Sequence, residues 1–97
     1  MHADDLNEHA WLLLTCELED MRDPQAALPI AKRAVEKSGG QNAAYLDTLG
    51  LAYFMTGDTA KAIETQEKAV LLLPPGESSL RPELEANLVK FRAAAKK

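Results

Sequence analysis

The sequence predicts an all-α fold of about five helices, and three observations carry that prediction. Apolar residues recur at steps of three and four in successive segments. Residues that cap helices or make turns stand between those segments. No stretch alternates polar with β-branched apolar residues, as a half-buried strand would.

The first segment carries Leu6, Ala10, Leu13, Leu14, Leu18 and Met21 on one stripe, with Trp11 beside it, and is expected to end near Arg22. Asp23 and Pro24 then read as an N-cap followed by a proline at the first helical position, where a missing N–H costs nothing. The second helix has Ala27, Leu28, Ile30, Ala31, Ala34 and Val35 on its apolar face and closes at Ser38-Gly39-Gly40. Pro29 falls in its second turn and predicts a mild kink. A third helix from about Asn42 to Met55 carries Tyr45, Leu46, Leu49, Ala52, Tyr53 and Phe54 and stops at Thr56-Gly57-Asp58, with Asp58 capping the next helix. The fourth has Ala60, Ile63, Ala69, Val70 and Leu73 and ends before Pro74-Pro75-Gly76. The fifth lines up Leu80, Leu84, Leu88, Phe91 and Ala95, acidic in its first turn and basic in its last, an order that suits the helix dipole.

At 97 residues the chain is a single domain with a thin core. Its 46% hydrophobic and 27% charged residues are those of an ordinary globular protein. No apolar run approaches the roughly 18 residues that would cross a bilayer, and the start lacks the order of a secretory signal, so a cytoplasmic chain without membrane association is expected. A net charge of −4 opposes nucleic-acid binding, which needs clustered cations. The charge is uneven. Residues 1–23 hold Asp4, Asp5, Glu8, Glu17, Glu19, Asp20 and Asp23 against Arg22, whereas residues 80–97 hold Arg81, Lys90, Arg92, Lys96 and Lys97 against Glu83 and Glu85.

Sliding the sequence by 35 residues lays the first helix pair over the second. Trp11, Leu14, Leu18, Ala27 and Ala34 fall on Leu46, Leu49, Tyr53, Ala62 and Ala69, and Asp23 falls on Asp58. In the second copy Leu46, Leu49-Gly50, Tyr53, Gly57-Asp58, Ala62, Ala69 and Pro74 stand at the spacing of the tetratricopeptide repeat (TPR), which the chain resembles. Gly50, Ala62 and Ala69 are small where two helices must approach, and Leu46, Leu49 and Tyr53 fill the space beside Ile63 and Val70. Gln66 departs from the family's usual aromatic, and the first copy has Thr15, Ala31 and Gly39 where the family has glycine, that aromatic and proline.

The resemblance implies antiparallel helix pairs stacked as a short right-handed solenoid: repeat one over about residues 8–40, repeat two over about 43–75, and a capping helix over about 80–96. Two repeats are fewer than the roughly three usually needed for independent stability, so the chain is expected to be a segment of a longer protein or to be completed by self-association.

Candidate chemistry is sparse. Cys16 lacks a base and an oxyanion site, His9 and Cys16 lie about two turns apart on one helix face, too far for one ion, and no glycine-rich loop opens a helix after a strand. No enzyme activity, metal or cofactor is expected. Trp11 would suit a ligand platform, but core packing is the favoured expectation because its counterpart Leu46 is a core position, and the Tyr45 hydroxyl is expected in water. The TPR resemblance implies a concave face lined by the first helix of each pair: His9, Leu12, Cys16 and Glu19 from the first copy, and Ala44, Asp47, Leu51 and Phe54 from the second. Leu12, Cys16, Asp47 and Leu51 occupy the places where some TPR proteins carry Lys, Arg and Asn to grip a C-terminal carboxylate, so no such clamp is expected. Leu12, Cys16, Leu51 and Phe54 are expected to form a modest exposed apolar patch, and the expected ligand is a largely apolar, uncharged or basic peptide. The function expected is thus a protein interaction module for a peptide or protein partner. Its rival is a self-association unit in which the acidic first helix of one copy meets the basic last helix of another.

Overall fold

A computed structural model describes residues 3–16, 20, 22–73 and 81–95. Five helices follow one another: α1 (Ala3–Thr15), α2 (Pro24–Lys37), α3 (Ala43–Met55), α4 (Thr59–Leu72) and α5 (Arg81–Ala95). No strand occurs among the described residues. Each helix packs chiefly on its neighbours in sequence, with lesser packing of α1 on α3 and of α3 on α5.

The helix starts follow the caps. Asp23, Asn42 and Asp58 each accept a bond from the backbone N–H three residues on, at Ala26, Tyr45 and Lys61, so α2, α3 and α4 begin where the side-chain oxygens satisfy exposed donors. Two ends use glycine in the left-handed region. Gly39 closes α2 at φ +78° and Gly57 closes α3 at φ +94°. In both, the next residue's N–H reaches back to the last turn, Gly40 to Val35 and Asp58 to Tyr53, each at 2.9 Å. Leu73 ends α4 extended at ψ 127°, the conformation a following proline favours. Pro29 sits exposed within α2, which runs through it unbroken.

The first helix ends earlier than its apolar spacing predicts, at Thr15 rather than near Arg22. Its last carbonyls find partners from the loop: the Asp23 N–H donates to Leu13 O at 2.8 Å and Arg22 Nε to Cys16 O at 2.6 Å. Continuation would also bring Glu17, Glu19 and Asp20 to the negative end of the helix dipole, where acids are unfavourable. Leu18 and Met21 of the expected stripe lie outside the described residues, as do Leu80 and the Pro74-Pro75-Gly76 stop.

The second helices of the two pairs keep the 35-residue register closely, 24–37 against 59–72. Ala27, Ala34, Ala62 and Ala69 are all fully buried, as small residues must be where helices close on one another. The first helices do not match. Trp11 is 37% exposed, whereas Leu46 is 3% exposed and packed beside Ala69 and Leu84. The expected core position of Trp11 is thus corrected, and the reason is register: α1 starts at Ala3, not at residue 8, and an eight-residue connection replaces the tight Thr56–Asp58 turn.

α3 is the central helix. Every residue from Tyr45 to Ala52 is buried, because α2 and α4 flank it and α1 and α5 add further cover. The Tyr45 hydroxyl is likewise not in water: it donates to the Asp4 carboxylate and ties α3 to α1. Phe91, fully buried, stacks on Phe54 with centroids 4.7 Å apart, and Leu84 and Leu88 beside it seat α5 on the rest. Ala95, expected on that stripe, is exposed.

Candidate protein interface

The face formed by α1, α3 and the start of α5 contains a groove of about 200 Å³. Asn7 and Trp11 form one wall, Ala44, Asp47 and Thr48 the floor, and Glu83 the opposite rim. Trp11 projects from the second half of α1, one residue past the fully buried Ala10, and so turns partly out of the core. Leu12 follows it at 58% exposure. A large aromatic and an aliphatic side chain at consecutive positions of α1 are thereby left partly uncovered.

The floor is polar but already engaged. Asp47, 8% exposed, accepts from Gln66 Nε2 at 2.6 Å and from Asn87 Nδ2 at 2.9 Å. Gln66 is fully buried and donates also to Leu84 O at 3.2 Å. One carboxylate therefore ties α3, α4 and α5 together. Thr48 donates to Ala44 O within its own helix. Asn7 Oδ1 is buried with no partner, a polar atom left beside the groove.

The residues expected on the concave face divide. His9 and Leu12 are exposed on α1, Cys16 is a half-buried free thiol just past its end, and Glu19 lies outside the described residues. Ala44 is half-buried and lines the groove. Asp47 forms its floor through the polar network, while Leu51 belongs to the main core cluster at 9% exposure. Phe54 is half-buried under Phe91, with Lys90 Nζ 5.3 Å from its ring centroid. The chain's own fifth helix occupies the second pair's share of this face. The opening is left on the α1 side.

Sequence reasoning did not assign Asn7, Trp11, Thr48 or Glu83 to the groove. The usable signal was the pairing of Gln66 with Asp47 and Asn87: a polar residue at an expected aromatic position asks for polar partners. Among the described residues no group of three His, Cys, Asp or Glu side chains could hold a metal ion, and no helix is long and apolar enough to cross a membrane. In comparison with known proteins the chain matches no family model, no curated protein and no solved structure.

Proposed function

We propose that the chain is a cytoplasmic protein interaction module of tetratricopeptide type, which holds a peptide or protein segment against the α1–α3 groove and catalyses nothing. Support for the repeat reading comes from α2 and α4, which share bounds in a 35-residue register, aspartate caps and fully buried alanines. The observation that carries the binding reading is Trp11, 37% exposed on the groove wall, with Leu12, the next residue of α1, 58% exposed. Tryptophan is the residue most often found at the energetic centre of an interface, and a half-covered one has contact area still to gain. Glu83 on the rim and Asp4, Asp5 and Glu8 on α1 make the surroundings acidic, so the segment that fits has an apolar anchor and no net negative charge.

The test is a peptide array probed with the full chain and with Trp11→Ala, Leu12→Ala and Val89→Ala variants. Apolar or basic peptides retained by the Val89 variant and lost with Trp11→Ala are the expected result. Absence of binding, or binding that survives Trp11→Ala, rejects the groove.

Self-association is the second reading, favoured by Leu71, 84% exposed in a groove of about 380 Å³ between α4 and α5, with Val89 66% exposed on α5. A mass that rises with concentration in light scattering and stays monomeric for Leu71→Glu supports it; a monomer throughout removes it.

A further inference from the structure

A second groove, of about 330 Å³, opens where α2, α3 and α4 meet, on residues the peptide-binding reading does not use. Its floor is apolar: Val35 from α2 with Leu46 and the Tyr53 ring from α3. Its wall is one stripe of α4, Lys61, Glu64, Thr65 and Lys68, at the three- and four-residue spacing that puts side chains on one helix face.

Cations converge there from two helices. Lys32 Nζ of α2 lies 5.6 Å and Lys61 Nζ of α4 lies 5.7 Å from the centroid of the same Tyr53 ring. At the other end, Lys68 Nζ lies 3.8 Å from where a Cβ on Gly40 would stand, over the turn that closes α2. Among the described residues none of these three ammonium groups forms an ion pair, the pair between Arg92 and Glu67 lying elsewhere. A protein of net charge −4 thus gathers three lysines around an apolar floor with Glu64 as the one acid of the lining. Three exposed ammonium groups around one apolar floor give the groove a positive potential, which an anionic segment complements.

We propose that this groove binds an acidic peptide segment carrying an apolar side chain. The apolar side chain rests on Val35 and Leu46, and flanking carboxylates meet Lys61 and Lys68, with Lys32 completing the cationic rim. A nucleic-acid strand fits less well, because the groove lining offers only two lysines, Lys61 and Lys68, seven residues apart with Glu64 between them, too few clustered cations for a run of phosphates. The two grooves therefore differ in the charge they accept, acidic here and uncharged or basic at the α1–α3 site, and this one stands independently of that site.

The experiment is fluorescence anisotropy of the full chain with a fluorescein-labelled peptide of alternating glutamate and leucine. Saturable binding is expected, weakened about tenfold by Lys61→Glu with Lys68→Glu, as two exposed ion pairs turned repulsive would give. Lys61→Ala with Lys68→Ala should fall between, Glu64→Gln should bind more tightly, and Trp11→Ala should bind as the parent does. Circular dichroism of each variant establishes that the helices remain. The proposal is overturned by no saturable binding, by lysine variants that bind like the parent, by an equally tight single-stranded oligonucleotide, or by loss of binding on Trp11→Ala.

Discussion

Replacing Asp47 by alanine removes the acceptor on which three helices converge. Gln66 Nε2 on α4 donates to it at 2.6 Å and Asn87 Nδ2 on α5 at 2.9 Å. Gln66 is fully buried, its second amide hydrogen goes to Leu84 O, and its Oε1 already has no partner. Truncation therefore leaves an amide N–H in the core without an acceptor, a loss of about 1–3 kcal/mol with charge-assisted bonds at the upper end. Asn87 is half-buried and can turn to water, so it adds little. The carboxylate's own desolvation cost disappears in the variant and trims the loss, which leaves a net figure of about 2 kcal/mol. In a domain of this size that is a drop in Tm of about 8–16 °C. Urea unfolding followed by circular dichroism reads the free energy directly. The double variant Asp47→Leu with Gln66→Leu removes donor and acceptor together and should lose about 1–2 kcal/mol less than the sum of Asp47→Leu and Gln66→Leu measured singly, which is their coupling. If Asp47→Ala stays within about 0.5 kcal/mol of the parent, or the double variant shows no coupling, the network does not hold α5 in place.

Three further outcomes follow from packing and capping. Phe91→Ala empties a fully buried site stacked on Phe54 and should lose about 3–5 kcal/mol in urea unfolding, whereas a loss under about 1 kcal/mol would mean that α5 is not docked as described. At Gly50 an added Cβ would stand 2.5 Å from Gln66 Oε1 and 3.6 Å from both Ala62 O and Phe91 Cε2, so Gly50→Ala should cost about 1 kcal/mol net even after the better helix propensity of alanine. A rise in Tm would show slack at that approach. Asp58→Ala should lose about 1 kcal/mol by freeing the Lys61 N–H, and an unchanged thermal midpoint would show that the cap contributes nothing.

Much of the helical layout was legible because it depends on local chemistry. Asp23 and Asp58 as caps, and Gly39 and Gly57 as the left-handed closers of α2 and α3, act through bonds spanning a few residues, while Asn42, read only as the start of α3, proved to cap it in the same way. The alanine positions were legible too, since Ala27, Ala34, Ala62 and Ala69 repeat at one spacing and only a small residue fits a close approach. What could not be read was which partner covers each face. Trp11 and Leu46 match in sequence but not in burial, because α1 ends at Thr15 through bonds from Arg22 and Asp23 that periodicity does not encode. Asp47, Leu51 and Phe54 fall on an expected open face, yet α5 brings Asn87 and Phe91 over it. A helical stripe says which residues share a side; only the packed chain says whether another helix lies on it.

Acrylamide quenching of Trp11, the single tryptophan of the chain, tests the central claim most directly. At 37% exposure on the groove wall, its fluorescence in the folded protein should be quenched with a slope between those of a free tryptophan peptide and a core indole, and a bound apolar or basic peptide should lower that slope. A tryptophan that the quencher cannot reach in the folded chain, with helicity intact, would return Trp11 to the core and close the groove on which the interaction reading rests.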